Sequence, residues 1–161
     1  MYALTRSTAA LLLSTAAAAA TLAASPAVAT SYNWYSASTP LTAWDGSPAV
    51  AQAYAYGTAY QKDGLLKNHT YYKDPRPTGQ SVYTETSYSY FKWCSAGIDW
   101  CAEEGKDQSA RDNSGSWVNQ YDADDYSDEG ADRGRVHVKV CEDQNNSPDA
   151  CSRKPYFTFS I

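Results

Sequence analysis

Chemistry in this 161-residue chain would have to come from carboxylates, aromatic rings or four cysteines, because few other reactive side chains are present. The densest carboxylate run is Asp122-Ala123-Asp124-Asp125-Tyr126-Ser127-Asp128-Glu129-Gly130. Hard cations such as calcium take about six to eight oxygens, and Asp122, Asp124, Asp125 and Asp128 could supply several of them. The spacing fails the EF-hand pattern, since counting from Asp122 puts Ser127 where the sharp turn requires glycine. A solvated acidic loop over 122–134 with no cofactor is the expectation, and calcium is the alternative.

Aromatic side chains are the second resource. Trp34, Trp44, Trp93, Trp100 and Trp117 accompany a large number of tyrosines. Sugar rings stack on exposed indole and phenol faces, and such amphipathic rings suit surfaces that are apolar on one side and wet on the other. Most of these residues must nevertheless build the core, because leucine, isoleucine and phenylalanine are scarce. Three stand out as ligand contacts: Tyr54 and Tyr56 on a tyrosine-rich strand face, and Trp100, placed by its neighbours Asp99 and Cys101 near a disulfide turn.

Catalytic signatures are sparse. His69 and His137 are the two histidines, and His137 alternates with Arg135 and Lys139 in the manner of a surface strand residue. No Gly-x-Ser-x-Gly elbow occurs, and Asn113-Ser114-Gly115-Ser116 reads as a turn. A carboxylate pair of the glycosidase kind needs two acids at a set distance, which spacing along the chain does not define. The expectation is a non-enzymatic binding or surface-interaction domain, with carbohydrate as the candidate ligand. A small glycan-directed hydrolase is the alternative. Asn68-His69-Thr70 matches a glycosylation sequon, although the alanine-dominated leader looks bacterial, where that mark usually goes unread.

The elements that must position these groups read as strands. From 49 to 60, Ala49, Ala51, Ala53, Ala55, Gly57 and Ala59 alternate with Val50, Gln52, Tyr54, Tyr56, Thr58 and Tyr60. A period of two separates a small face from a tyrosine face on a strand, whereas a helix would mix the two sets around its axis. The alanine face is expected inward, leaving Tyr54 and Tyr56 partly exposed. Asp63-Gly64 marks a turn and 65–72 a second strand. Asp74-Pro75-Arg76-Pro77-Thr78-Gly79 is a loop. Val82 to Trp93, Trp117 to Tyr121, Val136 to Val140 and the alternating tail Phe157, Phe159, Ile161 complete the strand list. At most a single helical turn fits between Ala102 and Gly115. Residues 30–48 are expected as an N-terminal arm or edge strand, and 49–161 as one antiparallel β-sandwich or jelly roll of about six to seven strands. A closed β-barrel is the alternative.

Residues 1–29 carry the marks of a secretory leader. One positive charge, Arg6, precedes an apolar run through Leu11-Leu12-Leu13 and Ala16 to Ala20, and Ala27-Val28-Ala29 offers the small residues a signal peptidase reads. Cleavage there gives a released protein starting at Thr30, with no lipid-anchoring cysteine, no histidine for an N-terminal copper clamp and no membrane attachment. The 132 residues that remain suit one domain with its own core. They pair 12 basic with 18 acidic side chains, which excludes nucleic acid and anionic membrane surfaces as natural partners. Oligomeric state is not encoded in any motif.

An even cysteine count in an exported chain implies two disulfides. Of the three connectivities, the local pairs Cys94–Cys101 and Cys141–Cys151 are expected, each spacing being consistent with a strand turning back. Zinc is disfavoured because closely spaced cysteine pairs are missing. The ending Val136-His137-Val138-Lys139-Val140-Cys141-Glu142-Asp143, then Pro148-Asp149-Ala150-Cys151-Ser152, resembles that of small secreted actinobacterial proteins of uncharacterised role with a VCxD…DxCS tail. The resemblance covers about the last quarter of the chain. It implies secretion, a β-fold and the Cys141–Cys151 pair, and carries over no catalytic residue.

Overall fold

A computed structural model describes residues 30–77, 79–102 and 106–161; the leader assigned to 1–29 lies outside them. The described residues contain no helix and form eleven strands in two antiparallel sheets. The five-stranded sheet is built from β1 (Ser31–Trp34), β2 (Leu41–Asp45), β3 (Val50–Lys62), β4 (Leu65–Lys73) and β8 (Val118–Asp125). The six-stranded sheet holds β5 (Ser81–Cys94), β6 (Gly97–Ala102), β7 (Asp107–Gln108), β9 (Arg133–Asp143), β10 (Ala150–Cys151) and β11 (Tyr156–Ser160). They pack face to face as a sandwich and do not close into a barrel.

The strand count exceeds six or seven because three of the four sheet edges are assembled from short pieces, the fourth being the continuous β8. β1 and β2 lie end to end along one edge of β3, β10 and β11 along one edge of β9, and β6 and β7 along one edge of β5. Short edge strands leave little unpaired backbone in any one run, which limits edge-to-edge association. Asp107–Gln108 is a strand where the polar stretch after Ala102 suggested at most a helical turn.

Local chemistry explains the long central hairpin. Asp63 and Gly64 both have positive φ, 55° and 77°, as a two-residue type I′ turn requires, and Lys62 pairs with Leu65 across it. Along β3, Ala53, Ala55, Gly57 and Ala59 face inward and are buried, while Tyr54, Tyr56, Thr58 and Tyr60 face outward and are half-buried. The alternation resets at a β-bulge: Ala43 pairs with Ala53 but Trp44 with Ala51, so Gln52 is an extra residue. Ala51 therefore does not share the buried alanine face. Gly57 is required by a close approach, because a Cβ there would sit 2.2 Å from the His69 carbonyl oxygen and 2.8 Å from the Trp34 indole.

Between the sheets, Ala53, Ala55, Ala59, Leu66 and Tyr72 meet Val82, Tyr88, Tyr90, Val136, Val138, Val140 and Phe159. A polar chain threads this core. Trp34 Nε1 donates to Asn68 Oδ1 (3.2 Å), and Asn68 Nδ2 donates to Thr70 and Thr86 hydroxyls (2.7 and 2.9 Å). Thr86 then donates to Asp122 Oδ2 (2.6 Å), whose other oxygen accepts from Gln120 (2.8 Å). Each buried group thus finds partners, which offsets its desolvation. Fully buried Asn68 is inaccessible to glycosylation in the folded protein. Both expected disulfides form: Cys94–Cys101 in the β5–β6 hairpin and Cys141–Cys151 between register partners of β9 and β10.

Candidate ligand-binding face

The outer face of the five-stranded sheet gathers most of its partly exposed rings into one row. Register sets this up: Tyr56 on β3 lies opposite Tyr71 on β4, and His69 on β4 opposite Tyr121 on β8. All four are at outward positions, so their rings meet above the pleat. Tyr56 stacks on Tyr71 with centroids 5.0 Å apart and 14° between planes, and Trp117 meets Tyr56 edge-on at 4.8 Å. Tyr71 continues to His69 at 4.5 Å, and His69 stacks on Tyr121 at 3.8 Å and 17°. Tyr121 is 63% exposed and Trp44, at the opposite end on β2, is 58% exposed.

Near the Trp44 end the row opens into a shallow recess of 230 Å³, lined among others by Pro40, Thr42, Trp44, Tyr54, Lys73 and Trp117. The Lys73 ammonium lies 5.3 Å from the Trp117 ring centre. Burial lowers the His69 pKa, and its buried Nε2 has no hydrogen-bond partner among the described residues. The face is thus a ring platform with a cation at one end. Such a surface binds by stacking and contact; the outward ladder positions hold one carboxylate, Asp125, at the far end from the recess.

Two of the three rings expected as ligand contacts therefore belong to this face: Tyr54 lines the recess and Tyr56 sits within the row. Trp100 does not. It lies on β6 in the other sheet, opposite Phe91, and the Arg135 guanidinium packs 3.6 Å from its centroid and 4.2 Å from that of Tyr156. It is a packed, half-buried residue; the exposed rings and chains of that hairpin are Trp93 (76%) and Ile98 (63%).

The carboxylates expected as a loop are largely a strand. Asp122 to Asp125 end β8, and period-two alternation sends them apart. Asp122 points into the core network, while Asp124, also on the inner side, accepts from the Tyr90 hydroxyl at 2.5 Å. Burial raises the Asp124 pKa, opposed by that hydrogen bond and reinforced by Glu129, Asp107 and Asp125. Asp125 faces solvent and its pKa is lowered by hydrogen bonds from Ser127. Asp128 lies exposed in the following turn. Among the described residues no three His, Cys, Asp or Glu side chains are placed to hold a metal ion.

His137 is also more enclosed than its alternation suggests. Its Nε2 lies 2.9 Å from Ser89 Oγ, and burial, with the charges of Lys154 and Arg135, lowers its pKa to about 4. Beside it Glu85 is buried to 3% exposure and held by Lys106 (2.7 Å) and Lys139 (3.2 Å). Burial alone would raise the Glu85 pKa, but these partners and Gln108 bring it below the ordinary value. Glu85, Lys106 and Lys139 of this second face are thus engaged with one another.

The rings of this face that the sequence did not mark as ligand contacts are Tyr71, His69, Tyr121, Trp117 and Trp44. Alternation over 65–73 contained the signal, but its inward set, Leu66, Asn68, Thr70 and Tyr72, is half polar, so neither face declares itself as the core. No family model matches the chain, and no curated protein and no solved structure matches it.

Proposed function

We propose that this is a secreted, non-enzymatic glycan-binding domain whose ligand lies across the outer face of the five-stranded sheet. The carrying observation is the row Trp117–Tyr56–Tyr71–His69–Tyr121, with Trp44 and Tyr54 flanking its recess. Monomers of folded proteins bury rings where they can, so a row of them left partly in water favours a ligand that covers it. Pyranose rings have apolar faces and hydroxyl edges, which match rings whose edges carry phenol and indole donors. Secretion is supported by the 1–29 leader, by two disulfides and by the resemblance of the tail to small secreted actinobacterial proteins.

The test is sedimentation with insoluble polysaccharides together with a glycan array, comparing the protein with Trp117→Ala, Tyr56→Ala and, as a control on the other sheet, Trp93→Ala. Each lost stacking contact should weaken binding about tenfold, equivalent to about 1.4 kcal/mol. Thermal melts of each variant separate lost binding from lost folding. Retention of full affinity in a folded Trp117→Ala, Tyr56→Ala double variant would refute the assignment.

A further inference from the structure

Resting on the glycan reading of the same face, we infer that the ligand is an acidic polysaccharide whose charge is a uronate carboxylate, held by Lys73 beside Trp117. The chain as a whole carries a net charge of −5, so a cationic surface is not what composition would produce. Yet the outward ladder positions of this sheet carry Lys67 and Lys73, besides Lys62 paired with Asp63 of the turn (4.0 Å), against the single carboxylate Asp125. Among the described residues neither Lys67 nor Lys73 is in an ion pair, whereas Lys106 and Lys139 on the other sheet both engage Glu85.

Neutral sugars offer hydroxyls that need acceptors as well as donors. Around the recess the hydroxyls of Ser38, Thr42 and Tyr54 can serve a sugar hydroxyl either way, whereas the one charged group, Lys73, has three protons and no acceptor. A carboxylate attached to a stacked pyranose is the group that satisfies it, since the ammonium stands 5.3 Å from the indole centre on which the ring would rest. Charge spacing decides between carboxylate and sulfate. Lys67 and Lys73 lie six residues apart on one strand, roughly 20 Å, and the chain has no dense lysine and arginine run of the kind that binds highly sulfated chains. Cations this far apart each meet a single charge, which suits a chain with at most one charge on a ring and not the clustered charges of a heavily sulfated one.

The experiment is calorimetric titration with oligogalacturonate and its methyl ester, alongside an array holding neutral, uronate-containing and sulfated glycans. Methyl esterification removes the charge and keeps the ring. Expected results are array signal concentrated on uronate-containing glycans and about tenfold tighter binding of a bound uronate than of its ester at 50 mM salt. That ratio should shrink toward one at 0.5 M salt, where screening shortens the range of the ion pair. Lys73→Gln should bring the uronate-to-ester ratio toward one, with the uronate losing far more affinity than the ester. Equal or better binding of neutral glycans, binding confined to sulfated ones, or a preference that survives Lys73→Gln overturns the inference and leaves the glycan reading standing. Absence of binding to every glycan overturns both.

Discussion

Gly57 is the position where a single methyl group should do the most damage. Elsewhere in a strand, glycine to alanine stabilises by roughly 0.5–1 kcal/mol through chain entropy. At Gly57 the added carbon would stand 2.2 Å from the His69 carbonyl oxygen and 2.8 Å from the Trp34 ring, more than half an ångström inside normal contact in both directions. The carbonyl belongs to the β3–β4 ladder, and the indole is buried and tied to Asn68. Neither can give way alone, so the overpacking cost of about 1–3 kcal/mol should be met at its upper end. Gly134 supplies the comparison: there the new carbon meets Leu66 Cδ1 at 2.6 Å and Tyr90 Cε1 at 3.1 Å, side-chain atoms that can rotate. We expect Gly57→Ala to be less stable than Gly134→Ala by about 2 kcal/mol, a melting-temperature gap of roughly 6–8 °C for a domain of this size. Thermal and urea unfolding followed by circular dichroism without reductant reads the difference. A Gly57→Ala protein equal to or more stable than Gly134→Ala would refute the claim that the backbone approach, and not side-chain fit, demands glycine there.

Ala53→Leu should cost about 1–3 kcal/mol because Ala53 is fully buried, whereas Tyr54→Ala, one residue along and half-buried, should cost less than about 1 kcal/mol; the same melts check the order. For His137, burial places the folded pKa at about 4, below the ordinary 6.5, so the unfolded chain takes up the proton first. Stability should therefore fall as pH drops from about 6.5 toward about 4, and His137→Gln should flatten that part of the profile. A ring titration by NMR with its midpoint near 6.5 would contradict this.

The sandwich was legible wherever alternation had one apolar phase. Val136, Val138 and Val140, and the alanines of β3, point to a buried side without ambiguity, and Asp63-Gly64 announces its turn by chemistry alone. The two disulfides follow from strands that turn back within 7 and 10 residues. What could not be read is which positions on two different strands become neighbours. Tyr56 and Tyr71 are fifteen residues apart, and their stacking depends on the register set at residues 62–65. Asp122 and Asp124 looked like a solvated loop because acidic residues seldom line a core; Thr86, Gln120 and Tyr90, each from a distant or alternate position, make their burial tolerable. Trp100 does sit beside the Cys94–Cys101 disulfide, but its packing against Arg135, which reaches it from β9 across the sheet, had no signal in its neighbours along the chain.

The bulge at Gln52 also has an evolutionary meaning. In a strand with a buried face, gaining or losing one residue turns every later side chain over, so a length change anywhere from 53 to 60 would carry the tyrosines inward and the alanines into water. Gln52 is the spare residue of β3, unmatched on β2. A length change at that point alters the local kink and the hold of Arg76, which donates to the Ala51 carbonyl, but leaves the ladder beyond it in phase. Natural insertions and deletions in the lineage of this chain are therefore expected to cluster at 51–52 and at the 35–40 and 46–49 connections, where the ring-bearing face can survive them.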